Sequence, residues 1–152
     1  MKKRLSLLLM ALFTAHSNAA LVNLNLDEFQ KTFQSLNKAP GYNGEIKSDA
    51  LTGATHEKFI VTGSSHSDEK EPVLMTGYYV NPTKIGRLYA ITQYRVYCDD
   101  ETYSYALSNF EPNGALSSTN MDTDYAFEYE NQSARDQQFA KILKNACLHP
   151  AK

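Results

Sequence analysis

His56 and His66, with Asp68, Glu69 and Glu71 close behind, are the residues best suited by type to hold a metal ion. Imidazoles and carboxylates are zinc ligands, yet zinc sites favour tight spacings such as H-E-x-x-H, which this chain lacks. A solvated polar loop accounts better for the stretch. Asp99-Asp100-Glu101 offers hard oxygens to calcium, but without the spaced ligands of an EF-hand loop it reads as a charged turn. Gly63-Ser64-Ser65-His66-Ser67 sets serine beside histidine outside the G-x-S-x-G frame. A serine nucleophile also needs a base and a third group to orient it. Glu128 and Glu130 share a strand face, as an acid–base pair would and as ordinary solvent-facing residues do. The expectation is a non-enzymatic protein with no catalytic residues, no metal and no cofactor.

The amino terminus points to a compartment. Met1-Lys2-Lys3-Arg4 precedes an apolar run from Leu5 to Ala15, then His16-Ser17-Asn18-Ala19-Ala20. Positive charge, a short apolar core and small residues at the exit are the three parts of a secretory signal. The run falls well short of the roughly twenty residues that cross a bilayer. These features predict a signal peptide over residues 1–19 and a single domain over 20–152, exported to the periplasm, the medium or the cell surface. No cysteine follows the cleavage site, so neither a lipid anchor nor a membrane span is expected. Cleavage removes Lys2, Lys3 and Arg4, which lowers the formal charge from −2 to −5. With no basic run left, nucleic acid is not an expected partner. The two cysteines, Cys98 and Cys147, are expected to pair in an oxidising compartment. Closing so long a loop contributes about 4 kcal/mol in the chain-entropy account.

The elements that would position these groups show in the periodicity. Residues 25–37 are predicted helical: Leu26, Phe29, Phe33 and Leu36 recur at helical spacing, with Asn25 as N-cap and Asp27 and Glu28 at the positive end of the dipole. Residues 38–57, with Pro40, Gly41, Gly44 and Gly53, read as loop. Strands follow at Lys58 to Thr62 and, beyond the polar stretch Ser64 to Pro72, at Val73 to Val80. The longest strand is Arg87 to Cys98. Its alternation predicts a core face of Leu88, Ala90, Thr92, Tyr94, Val96 and Cys98, and an outward face of Arg87, Tyr89, Ile91, Gln93, Arg95 and Tyr97. Tyr103 to Phe110 returns, Pro112-Asn113-Gly114 turns, and Ala115 to Thr119 and Tyr125 to Tyr129 are two more short strands. Phe139, Ile142, Leu143, Ala146 and Cys147 make the apolar stripe of a last helix. Ser133 and Asp136 stand close to capping-box spacing before it, and Pro150 ends it. The predicted fold is α+β: an antiparallel meander of about five to six strands, a C-terminal helix packed on it and tethered by the disulfide, and a short N-terminal helix.

Arg87, Tyr89, Arg95 and Tyr97 form the candidate interaction face, because tyrosine and arginine are enriched at binding hot spots. The competing reading has a half-covered sheet whose tyrosines pack on one another or beneath a loop or the first helix. Gly77-Tyr78-Tyr79-Val80 comes first, followed by Tyr94-Arg95-Val96-Tyr97-Cys98. A polar turn, a tyrosine-rich strand, an Asn-Gly hairpin and a helix closing on Ala146-Cys147 complete the order. Over residues 73–148 this order resembles the surface-adhesin E family, named for a bacterial adhesin that binds host vitronectin and laminin. The resemblance implies an antiparallel sheet with a disulfide-tethered C-terminal helix. It also implies an exported binding protein of the bacterial envelope whose ligand is a host matrix protein or an envelope protein. No ligand-binding residue carries over. Small size, negative charge and a disulfide fit a second reading, a periplasmic inhibitor or immunity protein that blocks a basic wall-active enzyme. The sequence sets no oligomeric state.

Overall fold

The computed structural model describes residues 23–50, 53–64, 72–83 and 86–148. The expected signal peptide therefore lies outside the described residues. Helix α1, Leu26–Ser35, starts where expected: the Asn25 side chain accepts the Glu28 N–H at 3.2 Å, and a 3-10 turn, Leu36–Lys38, closes it. Six strands follow: β1 (Tyr42–Ala50), β2 (Gly53–Ser64), β3 (Val73–Thr83), β4 (Gly86–Tyr97), β5 (Thr102–Phe110) and β6 (Leu116–Ala126). They form one antiparallel sheet in chain order, each strand pairing with the next. Helix α2, Ala134–Leu148, ends the described chain.

The two helices lie on opposite faces of the sheet. Phe29 and Leu36 join Ile60, Tyr78, Tyr89, Ile91 and Phe110 in one core. Phe139, Ile142, Leu143 and Ala146 of α2 join Phe59, Met75, Tyr94 and Val96 in the other. α2 opens on a full capping box: Asp136 accepts from the Ser133 N–H and hydroxyl, and the Ser133 hydroxyl accepts the Asp136 N–H. Its far end is held twice. Cys147 is bonded to Cys98, with Cα atoms 5.7 Å apart, and buried Asn43 of β1 donates to the Ile142 carbonyl at 2.8 Å.

Three expectations are corrected. Residues 42–50 and 53–57 are strand rather than loop. The glycines there serve a bend and a bulge: Gly41 has φ +82°, where a Cβ would lie 2.3 Å from the Val61 carbonyl oxygen, and Gly44 has φ +129° at a register shift between β1 and β2. The two short strands expected after Gly114 are one, β6. Asp124, at φ 65°, accompanies a second register shift, which breaks the alternation and made one strand look like two. Phe127 is buried just beyond β6, and Tyr129 lies further out, exposed. Finally, β4 has no wholly outward face. Tyr89 and Ile91 lie under α1, because the apolar stripe of that helix needs a sheet face to cover.

Candidate functional site

α2 covers only part of its side of the sheet. Beyond its first turn the same face opens into a groove of about 530 Å³. Strand parity supplies the lining. Leu88, Thr92 and Tyr94 project from β4, Tyr103, Tyr105, Leu107 and Asn109 from β5, and Tyr125 from β6. Gly77 of β3 lets the Tyr94 and Phe59 rings lie close on the sheet, since a Cβ there would stand 3.0 Å from the one and 3.1 Å from the other. Aromatic rings continue from the core to the rim. Phe139 packs on Tyr94 at 5.2 Å, Tyr94 on Tyr103 at 6.1 Å, and Tyr103 stacks on Tyr125 at 5.5 Å between ring centres.

One ion pair closes the deep wall. Arg135, in the first turn of α2, donates to both oxygens of Glu57 on β2, Nε at 3.0 Å and Nη2 at 2.7 Å, and its guanidinium lies over the Phe139 ring. Burial opposes the charge on Arg135, but the hydrogen bonds and charge of Glu57 outweigh it and hold the guanidinium firmly protonated. Burial pushes the Tyr103 phenol up to about 12 and raises Tyr94 as well. At the rim the Tyr125 hydroxyl donates to Asp122 at 2.7 Å, which raises the phenol and lowers the carboxyl. The groove thus offers stacking faces and phenolic, amide and hydroxyl hydrogen-bonding groups on a rigid sheet, the equipment of recognition.

The residues singled out from sequence fare differently. Tyr89 is buried against Phe29 and its hydroxyl accepts from Gln30, so α1 removes it from the surface. Arg95 is exposed and Tyr97 half-buried, and the Arg87 side chain lies outside the described residues. The expected face is therefore split by α1 and does not come together as a continuous stripe. The His56 ring donates from Nε2 to the Glu45 carboxylate at 2.7 Å and packs edge-on to Phe33. His66, Asp68, Glu69 and Glu71, and Ser65 and Ser67 with them, lie outside the described residues. Among the described residues no group of three or more His, Cys, Asp or Glu stands close enough to hold a metal. Asp99-Asp100-Glu101 forms the β4–β5 turn, and Glu128 is paired with Lys144. Tyr103, Tyr105 and Tyr125 were visible as strand tyrosines, but their shared face depends on the β5–β6 register. The Glu57–Arg135 pair spans 78 positions and left no local signal.

Comparison of the chain with protein-family models, characterised proteins and solved structures returns no match. Among the described residues, no helix is long and apolar enough to cross a membrane.

Proposed function

We propose that this chain is an exported, non-enzymatic binding protein of the bacterial envelope, of the surface-adhesin E kind, which holds a protein ligand in the tyrosine groove. The observation that carries the reading is the groove itself. It is an open sheet face lined by tyrosines whose rings pack on one another, so ordering them costs a ligand little. The signal-like residues 1–19 and the Cys98–Cys147 bridge support export. The second reading, an inhibitor of a basic wall-active enzyme, draws support from the acidity of the β5–β6 half of the molecule.

Binding of immobilised vitronectin, laminin and a basic muramidase tests the proposal. Leu88→Arg fills the groove from a position that is 45% exposed and should weaken the true ligand about tenfold. Arg95→Ala, on the other face, should leave it unchanged. Full binding by Leu88→Arg would remove the groove from the account, and no binding of any of the three ligands contradicts both readings.

A further inference from the structure

β6 is the last strand of the sheet, and every residue from Ser117 to Ala126 is exposed. The other edge, β1, is closed at its start by the contact of Asn43 with α2 and carries Glu45 and Lys47 beyond it. Edge strands pair readily with other chains, and proteins guard them with lysine, proline or a cover. β6 has neither lysine nor proline. Its side chains from Leu116 to Met121 are neutral, and from Ser118 to Asp122 it stays in unbroken register with β5.

Charge says what kind of strand would pair there. Between Arg95 and Arg135 the chain contains no lysine, arginine or histidine and eight carboxylates. Asp99, Asp100 and Glu101 sit at one end of β5, Glu111 at the other, Asp122 and Asp124 on β6, and Glu128 and Glu130 beyond it. A second copy pairing β6 to β6 would set two such hairpins side by side, which like charges oppose.

We propose that the β6 edge accepts an extended, lysine- or arginine-bearing segment of a basic partner, paired between Ser118 and Asp122. The proposal rests on the binding reading above and names the partner's chemistry. Ser118, Asn120, Asp122 and Tyr125 lie on the groove face, opposite Asn109, Leu107, Tyr105 and Tyr103. Basic side chains of one parity meet the Asp122 carboxylate and the Tyr125 ring, which a cation favours. Apolar side chains of the other parity cover Met121, 69% exposed on the opposite face.

The test titrates the full exported chain with a peptide of about seven residues that alternates lysine and valine. Its controls are a glutamate–valine counterpart and two copies N-methylated at alternate residues, one in each phase. The lysine peptide should bind, weaken steeply with salt, and lose about tenfold with Asp122→Asn. One N-methylated phase should lose about tenfold and the other bind as the parent, because only alternate amides face β6. Equal binding of the lysine and glutamate peptides overturns the proposal, as does parent-like binding of both N-methylated phases. Asn23 bridges Ala115 at the start of this edge. Binding seen only in a chain begun at Asn23 would assign the edge to residues 20–22 instead, and self-association lost on Met121→Lys would assign it to a second copy. Loss of protein ligand in Leu88→Arg without any peptide binding overturns this inference alone and leaves the groove reading in place.

Discussion

Asp136 ties the start of α2 to its surroundings, accepting from Ser133 and from the Tyr129 hydroxyl at 2.8 Å. The Ser133 hydrogen bond first, and that of Tyr129 next, hold its carboxyl below the usual range. A carboxyl depressed by folding adds stability above its unfolded value, near 3.9, and that stability is lost as pH falls through the lower folded value. Asp136→Ala should therefore lower Tm near pH 7 by about 3 °C, for a cap worth about 1 kcal/mol. The gap should close as thermal scans move from pH 5 towards pH 2, and a gap independent of pH would remove the charge from the account. This cap could be read in the sequence, because Ser133 and Asp136 are neighbours on one turn. The Glu57–Arg135 pair could not, since only the packing of α2 across β2 brings the two together.

The elements were legible wherever their period was clean. α1, α2 and β4 follow from spacing alone. β1 did not, because Ile46 is its lone strongly apolar inward residue, and Gly44 within it and Gly41 just before it mimic a turn. The outward half of β4 was misjudged for a different reason: alternation separates two faces but cannot say that a helix covers the second. At this scale the disulfide is the clearest test. Cys98 directly follows β4 and Cys147 lies in the last turn of α2, 49 positions away. Releasing the clamp with Cys98→Ser and Cys147→Ser together should cost about 4 kcal/mol and lower Tm by on the order of 10 °C under oxidising conditions. An unchanged Tm would mean that packing of Phe139, Ile142 and Leu143 alone fixes the helix.

As a whole molecule, the protein is a sheet with a helix on each face and an asymmetric surface. One flank carries β1, closed at its start by the contact of Asn43 with α2 and charge-mixed beyond it at Glu45 and Lys47. The other, β5 and β6, is open, acidic and continuous with the tyrosine groove. On the proposed reading, that asymmetry gives the exported chain, left with 12 basic and 17 acidic residues, an acidic flank to present to a basic partner. On the proposed function, binding occurs through this flank. Photoreactive benzoylphenylalanine placed at Met121 of the full chain, with the same label at exposed Lys141 of α2 as reference, tests this when intact producing cells are irradiated with vitronectin, laminin and a basic muramidase supplied. A discrete covalent adduct with one basic protein is expected from position 121 and none from 141. No adduct at 121, or equal adducts at both positions, would contradict it.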